Sequence, residues 1–360
     1  MKKVGVIGCG AISDIFFKNM IHSFGNLEVV ACSSRSMVSA EKKAAEYGIK
    51  AVSIEELLND PQIDIVVNLT PAGAHYEVIR SALEHGKHVY TEKVICPSCE
   101  EAKELAKLAD EKGLLLCSAP DTYMGAAVQT AKKAVEAGEI GRVSSAHASF
   151  NRDIARLHEY FKNVVEPGAG AGFDQGIYYL TAMLSILGPV KKEAGTVRTN
   201  EPKRTFDRPE SRFYGQSYEI RNENVMTGVL DFACGTQATV NFNTDCIFPT
   251  DSQLTFYGTR GILYLPAPDG FGGDVVIHRS STRDSEILPC TFAYGEGDMR
   301  GLGVSDMADA IEQGRAPRAG KEMAIHAIEV LEGIVKSSAS GSWIHMETGF
   351  EIPALMPEQN

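Results

Sequence analysis

Two charged residues, Glu92 and Lys93, follow directly on an apolar run in the stretch HVYTEKVIC, residues 88–96. The run has the composition of a buried strand, so the pair stands where that strand ends. Charged groups in this position form either a solvated corner or the floor of a site. An ammonium group in a site stabilises negative charge on a reacting oxygen and lowers the pKa of a neighbouring acid. Lys93 is therefore a candidate for chemistry at an oxygen atom.

A second candidate pair, Asp174 and Tyr178, follows the glycine-rich stretch EPGAGAG. Residues four apart lie on one face of a helix, so the spacing predicts that the carboxylate and the phenol are neighbours. An ordinary tyrosine has a pKa near ~10, which is too high for a base at neutral pH unless a cation lies close to it. The alternative is that Tyr178 is a core aromatic residue and Asp174 a carboxylate at a helix N-terminus.

The chain begins with an apolar run, KKVGVI, that leads through GCGAIS into a helical stretch. This order of strand, glycine turn and helix is typical of a dinucleotide site. Gly8 permits the tight turn and Gly10 lets the backbone approach a pyrophosphate. The helix N-terminus, with Ala11 and Ile12, offers unpaired N–H groups to the cofactor. The third small position is Ser13 rather than glycine or alanine, which weakens the motif.

A second apolar run, LEVVACSSR, arrives at the spacing of the strand that binds the adenosine ribose. A carboxylate at its tip would bind the ribose 2′-hydroxyl of NAD, but the tip reads Ser34-Arg35. Neither residue repels a 2′-phosphate, and a guanidinium group can pair with one. The tip therefore favours NADP over NAD as cofactor, with a solvated loop charge as the alternative role of Arg35.

Strand-like and helix-like stretches alternate as far as residue 118, which predicts a parallel sheet with helices on both faces. We therefore expect a Rossmann dinucleotide-binding domain over residues 1–120. Ligands of such a sheet lie beyond the carboxyl ends of its strands. The residues predicted at these ends are Gly8, Ser34, Thr70, Pro71, Glu92 and Lys93.

Residues 121–360 show a different pattern, typical of an α+β domain with an open, mainly antiparallel sheet. Two long stretches, NVMTGVLDFACGTQATVNFNT and SQLTFYGTRGILYLP, alternate apolar and polar residues around glycine turns. The expected fold class is thus α/β for the N-terminal domain and α+β for the C-terminal one. The uncovered face of an open sheet favours packing between subunits, so we expect a homodimer or homotetramer.

The composition excludes several classes of partner. The chain has 360 residues, a net charge of −12 and no block of Lys and Arg, so nucleic acid and anionic membranes are not expected to bind. No apolar stretch reaches the ~18 residues of a membrane span. The eight cysteines are scattered, which favours the reducing cytoplasm. Cys96 and Cys99 form a CxxC without a second half-site, so we expect a helix start, capped by Ser98, and no metal.

The order of these motifs resembles the glucose-fructose oxidoreductase, inositol dehydrogenase and MocA family. The resemblance rests on GCGAIS, on NLTPAGAHYEVIRSALEHGKHVYTEKV and on later stretches such as EAGEIGRV, DMADAIEQGR and HAIEVLEGIVKSSASG. It covers nearly the whole chain. It implies an enzyme that uses NADP or NAD to oxidise or reduce a small-molecule substrate, at a hydroxyl or carbonyl carbon of a sugar, glycoside, cyclitol or related polyol.

The resemblance also implies catalytic roles. Lys93 would stabilise the alkoxide, Tyr178 would accept the proton, and Asp174 would orient the sugar or Lys93. The family's D-x-G-x-H ends here in Tyr178 instead of histidine. Its E-K-P ends in Val94, so the proline that often sets an unusual peptide geometry is missing.

Four further residues are candidates, two from the resemblance and two from their place after the last Rossmann strand. His75 is implied near the cofactor, with a helix cap as the alternative. His158 is implied to face the substrate, with a surface histidine as the alternative. Asp121 and Thr122 follow the last Rossmann strand and either contact the substrate or merely begin the next helix.

Two other functions stay open at this point. Some relatives retain NAD and cleave glycosidic bonds through transient oxidation and elimination, and a cofactor that stays bound without being consumed would indicate that reaction. A regulator that binds the nucleotide as a redox signal is the second alternative. Loss of both Lys93 and Asp174 would favour it, and both are present. The substrate itself is not readable, because specificity resides in side chains scattered through the second domain.

Overall fold

A computed structural model describes residues 1–359, except for the side chains of residues 247–251. The chain divides into two units. The first consists of Met1–Gly125 and Glu296–Ile325, and the second of Ala126–Gly295 and His326–Asn360.

The first unit opens with alternating strands and helices. The six strands lie in the order β3-β2-β1-β4-β5-β6, and every neighbouring pair is parallel. The elements are β1 (Lys2–Ile7), α1 (Ser13–His22), β2 (Leu27–Ser33), α2 (Met37–Tyr47), β3 (Lys50–Ala51), α3 (Ile54–Asn59), β4 (Ile65–Asn68), α4 (His75–Glu84), β5 (His88–Thr91), α5 (Cys99–Lys112) and β6 (Leu116–Ser118). This is the predicted Rossmann fold, and the prediction is confirmed.

Local sequence explains the strands and the helix ends. All four residues of β4 are buried, as in a parallel strand covered on both faces. Helices α2 and α5 end at Gly48 and Gly113, whose φ angles of 69° and 66° complete a left-handed C-terminal turn. The Ser98 side chain accepts from the Glu101 N–H at 3.2 Å. The predicted cap at the CxxC stretch is therefore confirmed.

The second unit is dominated by one large sheet. Its nine strands lie in the order β16-β15-β14-β13-β7-β12-β11-β8-β17, where β17 is Ile344–His345. Within the described part of the chain, only the β7–β12 pair of this sheet is parallel. The elements are α6 (Ala126–Glu136), β7 (Val143–Asp153), α7 (Ile154–Tyr160), α8 (Ile177–Leu187), β8 (Val190–Arg198), β9 (Lys203–Thr205), β10 (Ser217–Glu219), β11 (Val225–Phe232), β12 (Gln237–Asn243), β13 (Asp245–Gly258), β14 (Gly261–Leu265), β15 (Val276–Arg279) and β16 (Ser285–Ile287). The predicted open, mainly antiparallel sheet is confirmed.

Three elements complete the chain. They are α9 (Leu302–Gln313), α10 (Lys321–Ser340) and β17 (Ile344–His345).

Alternate residues of β11 and β12 are buried, and the others are exposed or half-buried. One face of this hairpin therefore belongs to the core, as the alternation in the sequence predicted.

The segment Glu296–Ile325 belongs to the first unit, whereas the sequence placed everything after residue 120 in the second domain. Polar side chains of the first unit hold its backbone. The Asn19 amide donates to the carbonyl oxygens of Asp298 and Arg300 at 2.8 and 2.9 Å. These contacts join residues about 280 positions apart, which hydrophobic periodicity does not reveal.

Among the described residues, no helix is both long and apolar enough to cross a membrane. The described side chains also include no group of three or more His, Cys, Asp and Glu that could hold a metal ion.

Candidate active site

The turn between β1 and α1 has the geometry of a dinucleotide cradle. Gly8 has a φ angle of +113°, and a β-carbon there would lie 2.6 Å from the backbone carbonyl of Leu69, so only glycine fits. A β-carbon at Gly10 would meet no heavy atom within 4 Å, so the space in front of this residue is open. Ala11 and Ile12 are exposed beside it. A pyrophosphate fits this open backbone and the unpaired N–H groups at the start of α1.

The third position of the glycine motif is filled by a buried serine. The Ser13 hydroxyl donates to the Gly10 carbonyl oxygen at 2.7 Å, and the residue is 0% exposed. A small side chain that satisfies its own hydroxyl group lets α1 pack closely on the sheet. Ser13 therefore stabilises the turn instead of disrupting it.

At the end of β2, Ser34 is half-buried and Arg35 is exposed. Neither residue is a carboxylate, and Arg35 forms no ion pair with the described residues. The nearby Lys43 ammonium is already paired with Asp14 and Glu46. A free cationic side chain at this strand end is thus supplied by Arg35.

Glu92 and Lys93 follow β5 directly, as predicted. Glu92 is buried and its Oε2 accepts from the main-chain N–H of Lys93 at 3.1 Å, while Lys93 is half-buried. Burial raises the pKa of the Glu92 carboxyl, and the Lys93 ammonium and the Arg300 guanidinium oppose this rise. The Lys93–Val94 peptide bond is cis. Arg300 has no motif of its own in the sequence, and only the return of residues 296–325 to the first unit reveals it.

Thr70 and Pro71 follow β4, with Thr70 half-buried and Pro71 exposed. The backbone N–H and the hydroxyl of Thr70 donate to Oδ1 of Asn68 at 3.1 and 2.7 Å. Sequence reasoning missed Asn68, although a polar residue at the end of the apolar run IDIVVNLT was an available signal. Thr70 thus lies at the predicted end of the sheet.

His75 is the first residue of α4 and is fully buried. Its Nδ1 lies 2.6 Å from the Val94 carbonyl oxygen and its Nε2 lies 2.8 Å from the Thr70 carbonyl oxygen. Burial lowers the pKa of its imidazole, and a neutral ring has only one N–H to donate. Because both nitrogens face the protein, the geometry favours a positioning role over the direct cofactor contact predicted from the sequence.

Asp121 is also used within the first unit. Its Oδ2 accepts from the N–H groups of Gly301 and Gly303 at 3.0 and 2.9 Å, at the start of α9. Burial raises the pKa of this carboxyl, and those N–H groups and Arg300 oppose the rise. Thr122 begins a short helical turn, so both residues fit the structural alternative better than substrate binding.

In the second unit, Asp174 lies in a π-helical turn, Gly172–Gly176, directly before α8. Asp174 is half-buried, whereas Tyr178 is 6% exposed in the first turn of α8. Asp174 and Tyr178 are four residues apart, as predicted, but Asp174 lies in the wider π-helical turn and Tyr178 in the α-helix. A β-carbon at Gly172 would lie 2.5 Å from the Met226 sulfur, so a larger residue in this turn would require the Met226 side chain to move.

His158 lies in α7, within a small aromatic cluster. Its ring stacks on Phe206 with centroids 5.7 Å apart and an angle of 9°, and Tyr218 lies 5.1 Å away. Burial lowers the pKa of its imidazole. His158 is half-buried, and its contacts favour packing over either the substrate contact or the surface position considered from the sequence.

Two family models match the chain. A model described as an oxidoreductase family with an NAD-binding Rossmann fold, GFO/IDH/MocA, matches residues 2–119, and the C-terminal domain model of that family matches residues 128–264. Each unit therefore contains a region that a model from the same family matches.

Individual relatives are more distant. An uncharacterised oxidoreductase of Schizosaccharomyces pombe is 32% identical, and the match spans 52% of each chain, so this chain covers about half of that relative's length. A scyllo-inositol 2-dehydrogenase (NADP(+)) of Bacillus subtilis is 25% identical over 96% of each chain. The structure of levoglucosan dehydrogenase with NADH and L-sorbose has a TM-score of 0.83 at 20% identity, covering 97% of this chain and 99% of that one. This last likeness shows the fold.

Proposed function

Because the chain belongs to the GFO/IDH/MocA oxidoreductase family, with its NAD-binding Rossmann fold, we propose that it transfers a hydride between a nicotinamide cofactor and a hydroxyl-bearing carbon of a sugar, cyclitol or related polyol. The observation that carries this proposal is the open glycine turn after β1 in the same sheet as the strand end that presents Lys93. The substrate class is supported by the relatives named for scyllo-inositol and levoglucosan.

The side chains divide the work by their chemistry. When bound, the nicotinamide ring takes up or releases the hydride. Lys93 stabilises negative charge on the substrate oxygen, and Tyr178 exchanges the hydroxyl proton. Asp174 accepts hydrogen bonds from sugar hydroxyls, and Glu92 holds the main chain at Lys93 through the N–H contact.

NADP is the preferred cofactor in this proposal. The end of β2 offers Ser34 and the exposed guanidinium group of Arg35, which suit a 2′-phosphate. The relative from Bacillus subtilis is named for NADP(+). Tighter binding of NAD than of NADP in a direct titration would refute this preference.

We also propose a homodimer or homotetramer. Large side chains are exposed on strands of the nine-stranded sheet, among them Val229, Tyr257 and Tyr264, which are 42, 38 and 41% exposed. Exposed apolar side chains on one face of a sheet are typical of subunit interfaces. Light scattering coupled to gel filtration tests this assembly, and a monomer at all concentrations would contradict it.

A panel of sugars and inositols, assayed with NAD and NADP separately by the absorbance of the reduced nicotinamide, tests the reaction. With the substrate found there, Lys93→Ala is expected to lower turnover by ~10²-fold or more, because an electrostatic donor at the reacting oxygen is lost. Lys107→Ala, on the exposed side of α5, is the matched control. Unchanged turnover in Lys93→Ala would refute the assignment.

A further inference from the structure

The ends of β4 and β5 are joined by a buried side chain that the sequence motifs do not include. Asn68 is the last residue of β4 and pairs in register with Thr91, the last residue of β5. Its amide nitrogen donates to the Thr91 hydroxyl at 3.0 Å, while its amide oxygen accepts from Thr70. Both Asn68 and Thr91 are 0% exposed. One amide group therefore connects the two chain segments that leave the sheet side by side.

His75 lies between the same two segments farther from the sheet, and its neutral ring donates its one N–H to one of two carbonyl oxygens. Its ring lies between the carbonyl oxygens of Thr70 and Val94, at 2.8 and 2.6 Å. Lys93 thus lies between Thr91, whose hydroxyl group accepts from Asn68, and Val94, whose carbonyl oxygen contacts the His75 ring. The carbonyl oxygen of Asn68 adds a third contact, since it accepts from the Glu92 N–H at 2.8 Å.

We propose that Asn68, Thr91 and His75 act together as a clamp that positions Lys93 for its reaction. This inference rests on the proposed function of Lys93. Beyond Glu92 the chain leaves the ladder of backbone hydrogen bonds, so side chains contribute to fixing its path. The lysine ammonium is a point charge on a flexible stem, so the direction in which it points depends on the main chain that carries it.

A buried amide at a strand end is costly unless its polar atoms are bonded, and here both the amide nitrogen and the amide oxygen are. A fully bonded buried network is rigid. A purely structural network would affect stability and every activity together, whereas a positioning network affects turnover more than cofactor binding. This difference is measurable.

Thr91→Val removes the hydroxyl group and keeps the shape of the side chain. Thr91→Ser keeps the hydroxyl group and is the conservative partner. Thr130→Val is the matched control, because Thr130 is a buried threonine of α6 whose hydroxyl has no hydrogen-bond partner among the described residues. Thr91→Ala, which removes the same hydroxyl without adding a methyl group, serves if Thr91→Val does not fold.

Turnover and cofactor affinity are compared in these variants. We expect Thr91→Val to lower kcat by about 10-fold or more, because a displacement of ~1 Å at a reacting group costs ~10²-fold. The Kd for NADPH, measured by fluorescence, is expected to change by less than about threefold, since the glycine turn is untouched. Thr91→Ser recovers most of the loss in kcat, and Thr130→Val retains the parent kcat.

A second readout needs no substrate. After reductive methylation with carbon-13, the NMR resonance of Lys93 is identified by its absence in Lys93→Arg. A resonance that moves in Thr91→Val and returns in Thr91→Ser supports the clamp, even if the substrate panel fails and the proposed function with it. An unmoved resonance in Thr91→Val overturns the clamp. Equal losses of kcat, NADPH affinity and thermal stability in Thr91→Val and Thr91→Ser overturn it as well.

Discussion

A buried carboxyl group in the second unit makes the stability of the protein depend on pH. Glu193 lies on β8 and is 0% exposed, and neither carboxyl oxygen has a hydrogen-bond partner among the described residues. The group lies against Gly333 of α10, where a β-carbon would be 3.0 Å from the carboxyl carbon. Burial raises the pKa of Glu193 to about 9, Glu329 adds to the rise and Lys336 opposes it.

The sign of the effect follows from proton binding. Above pH ~4.5 the unfolded chain releases the Glu193 proton, whereas the folded protein keeps it up to about pH 9. The folded state therefore binds more protons in this interval, and the free energy of unfolding falls by ~1.4 kcal/mol for each pH unit. The stability that depends on protonated Glu193 is fully present below pH ~4.5, and at pH ~7 the free energy of unfolding is about 3 kcal/mol lower.

Glu193→Gln removes the titration and keeps the size of the side chain. The difference in unfolding free energy between this variant and the parent is expected to grow from near zero at pH ~4 to on the order of 4 kcal/mol at pH ~7.5, in favour of the variant. Urea unfolding followed by circular dichroism over this range measures the difference. Glu41→Gln, on the exposed surface of α2, controls for the loss of a surface carboxylate.

The result that would refute this reasoning is a constant difference between Glu193→Gln and the parent across the whole pH range. A parent protein that is more stable than the variant above pH ~7 would refute it equally. Either outcome would mean that the Glu193 carboxyl is ionised or hydrogen-bonded in the folded protein.

Four further substitutions test the nucleotide-binding unit. Gly10→Val is expected to abolish binding of the dinucleotide in a fluorescence titration without changing the melting temperature, because the added atoms enter open space. Gly8→Ala is expected to lower the melting temperature, because its β-carbon would lie 2.6 Å from backbone atoms and the φ angle is +113°. Arg35→Glu is expected to weaken NADP binding by ~10-fold or more without weakening NAD, and an unchanged NADP-to-NAD ratio of Kd values would contradict the assignment. Ser53→Ala is expected to lower the unfolding free energy by about 1 kcal/mol in urea titrations, because Ser53 Oγ accepts from an N–H of α3 at 3.1 Å.

The sequence by itself determined the features that depend on local pattern. The first strand was predicted at residues 2–7 and is observed as Lys2–Ile7. The prediction was possible because a short apolar run before a glycine turn favours a buried strand over a helix. The Gly8 turn and the Ser98 cap were predictable for the same reason. Each depends on the backbone preferences of residues a few positions apart and not on contacts with distant parts of the chain.

The short strand β3 and the helix α3 were missed in the sequence. Strand β3 has only two residues, too few for any periodicity to show. Helix α3 has only six residues, so its periodicity is also too short to recognise. Its capping box, Ser53 and Glu56, was nevertheless a signal in the sequence.

Only the tertiary structure decided which predicted site residues have partners within their own unit. His75, Asp121 and His158 carry side chains suited to catalysis, but hydrogen bonds and ring stacking within their own units engage them. Their partners are distant in the chain: Asp121 and Gly301, for example, are 180 positions apart. Such contacts form because strand ends and returning segments meet in space, and no local pattern of polar and apolar residues specifies that meeting. The residue types thus indicated the chemistry, while the fold determined which side chains are available for it.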